Sequence, residues 1–307
     1  MKNDLKKTGE NSECTEHVIP QEAFDWYDEY AHGMIDRRAF MERLSSIAVG
    51  GLTMAALTSA LMPAYAHAEQ VSFNDDSITA SYETFDSPKG HKEGRGYLVQ
   101  PKNLKTTAPV VLVIHENRGL NPYVKDVARR LAKDGFVAFA PDGLHPVGGY
   151  PGNDDEGRKM QSSMDKGKIE QDFIAAATFI KDHPISSGKL GAVGFCFGGY
   201  IVNMLAASIP DKLNAGVPYY GTPALKELRK NIKAPLLIQY AELDKRVNAT
   251  KDEYEADLKA INADYTMHVY EGANHGFHND STGRYDEADA KLSWQRTIEF
   301  FKKHLQV

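Results

Sequence analysis

Six short apolar runs, each separated from the next by a longer stretch, set the pattern of the chain from Pro109 onward. They are Pro109–His115, Phe136–Ala140, Lys189–Phe195, Ala215–Tyr220, Pro235–Tyr240 and Tyr265–Tyr270. Runs of this length with β-branched and apolar residues on both faces suit strands covered on both sides. The stretches between them carry helical signals. Asn121-Pro122 offers a cap and a first-turn proline, Val124, Val127, Ala128 and Leu131 share one face, and Gly135 stops the helix. Residues from Asp154 to His183 read as helix with a break near Lys166-Gly167, the later part bearing Phe173, Ala176, Ala177 and Ile180 on one stripe. Further helices are expected at Gly198–Ala207, Ala224–Lys230, Lys251–Ile261 and Tyr285–Leu305, and in the last of these Trp294, Phe300 and Phe301 read as core. Strands alternating with helices imply βαβ units, hence an α/β fold with a mostly parallel central sheet and helices on both faces. One such domain accounts for residues 69–307.

Composition narrows the function classes. The 307 residues carry a formal charge of −6, and 25% are charged. These values exclude a disordered chain, a collagen-like repeat and a polytopic membrane protein. A pI of about 6.0 leaves no footprint for nucleic acid. Two cysteines, Cys14 and Cys196, exclude a disulfide scaffold and a four-cysteine zinc site.

Residues 1–68 read as a leader, with the signal segment at about 34–68. No charged side chain occurs from Leu44 to Ala66, Arg37, Arg38 and Arg43 stand before that stretch, and Ala64-Tyr65-Ala66 and Ala66-His67-Ala68 fit the small-x-small pattern of a signal-peptidase site. The arginine pair followed by Ala39-Phe40-Met41 resembles a bacterial twin-arginine export signal. It departs from that pattern at Asp36 and Glu42. Translation from Met1 makes the leader unusually long, and a start at Met34 gives one of ordinary size. An uncleaved membrane anchor is the competing expectation. Export to the bacterial periplasm follows from a cleaved signal, and membrane contact, if any, runs through the leader. Loss of residues 1–68 leaves a nearly neutral body whose single cysteine, Cys196, has no intrachain partner.

The sharpest chemical signal is Gly194-Phe195-Cys196-Phe197-Gly198-Gly199, between a strand and an apolar helix. A glycine-flanked nucleophile on so tight a turn is held in a strained backbone with its side chain projecting, and the following helix aims its N-terminus at the site. That end favours a thiolate and a developing oxyanion. Two partners follow in the chain order such elbows use. Asp244 comes just past Pro235–Tyr240, and His275, in Gly272-Ala273-Asn274-His275-Gly276-Phe277, just past Tyr265–Tyr270. Both fall at strand ends, the edge at which open α/β sheets bind ligands. Read singly, Asp244 is a turn residue or helix cap, His275 a loop histidine and Cys196 a buried small residue.

Taken together, these residues resemble the dienelactone hydrolase family of α/β-hydrolases, with His115-Glu116 at the end of another strand adding to the match; the likeness runs from about Val71 to the C-terminus. The resemblance implies an α/β-hydrolase fold and a carboxylic ester hydrolase acting on a small ester or lactone through a Cys196–His275–Asp244 triad. It implies that Glu116 restrains the cysteine until substrate arrives, and that the backbone N–H groups of Phe197 and Asn117 form the oxyanion hole. It implies no metal and no cofactor. His115, His145, His275 and His278 do not form an H-E-x-x-H motif. The family holds a substrate carboxylate with arginines, one of them a few residues after the histidine loop. This chain has His278-Asn279-Asp280 there, with Arg284 next and Arg118 and Arg158 elsewhere; the last two read as solvated surface groups unless they touch substrate. Oligomeric state is not legible. The competing functions are a non-catalytic α/β-hydrolase scaffold that binds a ligand or partner, and a thiol redox protein, which lacks a resolving cysteine in the body.

Overall fold

The computed structural model describes residues 19–48 and 53–306; Cys14 and the part of the leader at 49–52 lie outside them. The chain divides into two compact units, Met1–Ala60 and Leu61–Val307. In the first, helix α1 (Gln21–Ala31) packs on α2 (Arg37–Ile47), with the rings of Tyr30 and Phe40 stacked 5.0 Å apart. Asp36 accepts a hydrogen bond from Ala39 N and so caps the helix that opens with the arginine pair. Helix α3 (Met54–Leu61) ends before Pro63. No helix among the described residues is long and apolar enough to cross a membrane.

The second unit begins with a one-turn helix, α4 (Tyr65–Ala68), and an antiparallel pair, β1 (Ile78–Ser87) and β2 (Lys92–Pro101). There follow β3 (Ala108–Ile114), α5 (Pro122–Lys133), β4 (Val137–Pro141), α6 (Asp154–Ser163), α7 (Lys166–Lys181), β5 (Ser186–Phe195), α8 (Phe197–Ser208), β6 (Ala215–Tyr219), α9 (Lys226–Arg229), β7 (Leu236–Ala241), α10 (Lys245–Asn248), α11 (Lys251–Ala260), β8 (Tyr265–Tyr270) and α12 (Glu287–Leu305). The eight strands form one sheet in the order β1-β2-β4-β3-β5-β6-β7-β8. From β4 across to β8 every neighbour is parallel, and β2 joins that block antiparallel.

Side chains of β3 alternate between two cores, as strand geometry requires. Val110, Leu112 and Ile114 enter the cluster shared with α7, α8 and α11, and Val111 and Val113 the one shared with α5 and α12. Phe301 is buried in the second cluster, with Trp294 and Phe300 packed against it. The expected α5 cap is present, with Asn121 Oδ1 accepting from Val124 N at 3.1 Å. The break in the 154–183 stretch falls at Met164-Asp165, where the Asp165 carboxylate accepts from Lys168 N and starts a new helix, rather than at the glycine two residues on. The hairpin β1–β2 was not foreseen.

Candidate active site

Strand β5 ends at Phe195 and α8 starts at Phe197, so Cys196 alone makes the turn. Its φ of 57° and ψ of −112° lie where an L-residue other than glycine is strained, at a cost of order 1–3 kcal/mol. Neighbours hold it there: Cys196 N donates to Tyr219 O and Cys196 O accepts from Tyr200 N, each at 3.1 Å. The glycines answer to close approach. A Cβ on Gly194 would stand 2.2 Å from the carbonyl oxygen of Gly198, and one on Gly198 2.2 Å from that of Ile114. Helix α8 can therefore reach the end of β3 only with hydrogen at both positions.

At the same edge of the sheet Asp244 lies three residues past β7 and His275 five past β8. Their side chains meet, His275 Nδ1 lying 2.5 Å from Asp244 Oδ2. A carboxylate only accepts, so Nδ1 carries the proton and Nε2 is left as the basic nitrogen. The second oxygen of Asp244 accepts from Val247 N at 3.0 Å and caps α10, so the cap reading of this residue holds. The sulfur of Cys196 and a ring nitrogen of His275 lie within 4.8 Å of each other. All three residues are buried, at 8%, 5% and 4% exposure for Cys196, His275 and Asp244.

Glu116 is buried beyond the end of β3. Burial pushes its carboxyl above the usual range, the negative charge available to Cys196 adds to this, and Arg118 and Arg284 oppose it. The preceding His115 is structural. Its Nε2 accepts from Gly143 N at 2.9 Å and its Nδ1 donates to Glu116 O at 2.5 Å, which fixes a neutral ring that burial also favours. His278 is likewise buried with Nδ1 2.7 Å from the Tyr123 hydroxyl. The two histidines are thus engaged with the body of the protein at opposite sides of Glu116 in sequence. Phe197 and Asn117 are half-buried, and Phe197 N–H, the first of α8, has no acceptor within its own helix.

Of the arginines, Arg118 corrects the surface expectation. It is 6% exposed and pairs with Asp154 at 2.8 Å, because Asp154 gathers donors there: the Tyr65 and Tyr150 hydroxyls also donate to it at 2.8 Å. Tyr65 O–H in turn accepts from Asn121 Nδ2 at 2.7 Å. Arg284 is also buried, its guanidinium lying against the histidine loop, where a Cβ on Gly276 would come within 3.1 Å of Nη2. Arg158 is half-buried on α6.

Sequence reasoning missed two residues at this edge. Asn279, 1% exposed, donates from Nδ2 to Glu116 Oε2 at 3.2 Å, and its Oδ1 accepts from Ser281 N and Oγ, which orients the amide. Tyr220, directly after β6, packs its ring 4.8 Å from that of His275. Neither sits in a local motif; only the approach of distant loops reveals them.

The dienelactone hydrolase family profile matches residues 95–305, and a YqhI-like profile matches residues 11–50. Protein usf of Aquifex pyrophilus is 36% identical over 223 residues, covering 69% of this chain and 94% of that protein. An Aquifex aeolicus protein named "Putative carboxymethylenebutenolidase" is also 36% identical, with 69% of this chain and 94% of that protein covered. The crystal structure of a Klebsiella pneumoniae protein named "Putative Dienelactone Hydrolase" superposes with a TM-score of 0.65 at 27% identity, covering 73% of this chain and 99% of its own.

Proposed function

The chain belongs to the dienelactone hydrolase family, hydrolases of esters and lactones, and we propose that it works through an acyl-enzyme formed on Cys196. The observation that carries this reading is the meeting of His275 with Asp244 at 2.5 Å while its ring stays within 4.8 Å of the Cys196 sulfur.

In this mechanism the Cys196 thiolate attacks the carbonyl carbon of a small ester or lactone. The carbonyl oxygen takes the negative charge and accepts hydrogen bonds from Phe197 N–H and Asn117 N–H, an interaction for which loss of one donor typically costs about 10²–10³ in rate. His275 Nε2 holds the proton given up by the thiol; collapse expels the alkoxide, which takes that proton, and leaves a thioester. His275 then removes a proton from water, the hydroxide adds to the thioester, and the thiolate departs as the acid is released. Asp244 keeps the imidazole in one tautomer and stabilises its charged form. Glu116, buried beside the sulfur, disfavours the thiolate while its own carboxylate is charged, which suits a restraint relieved on substrate binding. Arg118 and Arg284 are the candidates to meet an anionic group on the substrate. A panel of p-nitrophenyl esters and unsaturated lactones tests the activity: turnover by the native chain and none by Cys196→Ala is the expected result, and equal turnover by both overturns it.

We also propose that residues 34–68 direct export by the twin-arginine-like signal. The hydrogen bonds of Tyr65 bear on where the chain is cut, because cleavage after Ala66 or Ala68 removes a side chain built into the hydrolase unit.

A further inference from the structure

Tyr220 is 1% exposed, yet its hydroxyl has no hydrogen-bond partner among the described residues. Tyr219 meets Thr297 at 2.8 Å, Tyr254 donates to Asn203 at 2.9 Å and Tyr270 to Gln239 at 2.6 Å, whereas the hydroxyl of Tyr240, inside β7 and away from His275, is an orphan like that of Tyr220. An unpaired buried hydroxyl costs about 1–3 kcal/mol, so its retention asks for a reason. Tyrosine at this position is costly for a second reason. Its φ of 36° puts a bulky side chain in the left-handed region. The backbone is pinned there by Tyr220 N donating to Gln239 O at 2.7 Å, and the adjacent Tyr219 carbonyl receives Cys196 N. The strained turn after β6 is thus tied to the strained turn after β5. It sends the Tyr220 ring against His275, and the hydroxyl lies in the field of Glu116, Cys196 and Arg284.

We propose that Tyr220 is a substrate-contacting residue whose hydroxyl donates a hydrogen bond to an oxygen of the ester or lactone bound at Cys196. The inference rests on the ester-hydrolase reading of the site. Burial and the nearby negative charges hold the phenol well above its ordinary value, so it stays an O–H donor through the working range and does not compete with His275 for the proton. A polar group without a protein partner that is paired in the complex strengthens binding selectively for molecules that offer it an acceptor.

Tyr220→Phe in the full chain separates this role from a structural one. Removal of an orphan hydroxyl leaves the melting temperature unchanged or raised, and kcat/KM for p-nitrophenyl acetate falls about tenfold to a hundredfold. Wild-type kcat/KM in Tyr220→Phe overturns the inference, and so does a fall in melting temperature that accounts for the lost activity. Cys196→Ala assayed in parallel reports on the underlying reading: turnover retained there defeats the acyl-enzyme, whereas an inactive Cys196→Ala beside a fully active Tyr220→Phe defeats the role of Tyr220 alone.

Discussion

His275 and Asp244, 31 residues apart in sequence, share a hydrogen bond of 2.5 Å at the edge of the sheet where β7 and β8 end. The same carboxylate closes the first turn of α10 through Val247 N, so one side chain fixes both the loop after β7 and the orientation of the imidazole.

Asp244→Asn keeps an acceptor for Val247 N but replaces a full negative charge by an amide dipole beside His275. Ester turnover is expected to fall about 10²–10⁴-fold through loss of the tautomer and of charge stabilisation. Stability is expected to change by less than about 1 kcal/mol. Steady-state kinetics and a denaturant titration on the same preparation check both halves.

Gly198→Ala tests the tightness of the elbow. The new methyl stands 2.2 Å from Ile114 O, a backbone atom that cannot step aside. A loss of about 2–4 kcal/mol is expected, seen as a lowered melting temperature.

Asn279→Ala removes the donor held against Glu116 and leaves the Ser281 hydroxyl without its acceptor. The pH profile of Cys196 alkylation by iodoacetamide is expected to move by about half a unit, and the change is expected to vanish when Glu116 is already Gln.

Acid lowers stability through two buried rings. Burial depresses the pKa of His115 and of His278, so the unfolded chain takes up protons below about pH 6.5 that the folded chain refuses. Their contribution is therefore complete above that pH and is lost as pH falls, by about 1.4 kcal/mol per unit and per ring. The raised carboxyls of Glu116, Asp134, Asp280 and Asp289 act in the opposite sense, and His268 and His304, also depressed by burial, add to the loss. Melting temperature measured from pH 7.5 down to 5 is expected to fall, and less steeply in His278→Gln.

Much of this architecture is legible in the chain. The six parallel strands, the α5 cap at Asn121 and the elbow at Cys196 follow from local residue types, because a strand buried on both faces and a turn that excludes side chains leave few alternatives. The β1–β2 hairpin was not legible. Its residues, such as Thr79, Ser81, Glu83, Arg95 and Gly96, mix polar and small side chains without the period of two, since β1, the edge strand, is largely exposed and β2 is only half buried. Arg118 looked like a surface group because Asp154, which buries it, lies 36 residues away. Asn279 and Tyr220 are not legible for the same reason: each meets Glu116 or His275 only when separate loops converge.

Tyr65→Phe tests the front of the hydrolase unit. Loss of the hydroxyl deprives Asp154 of a donor and Asn121 of an acceptor, and a destabilisation of about 1–3 kcal/mol is expected in the full chain. N-terminal sequencing of exported protein shows whether residue 65 is retained; if it is cut away, the variant and the parent are expected to melt together.

The central claim is covalent, and mass spectrometry of the intact protein after millisecond exposure to a p-nitrophenyl ester tests it most directly. A mass increase equal to the acyl group, mapped to the peptide bearing Cys196 and absent from Cys196→Ala together with turnover, is the predicted result. Undiminished hydrolysis by Cys196→Ala, with no acyl group on the parent at any time, would contradict the account.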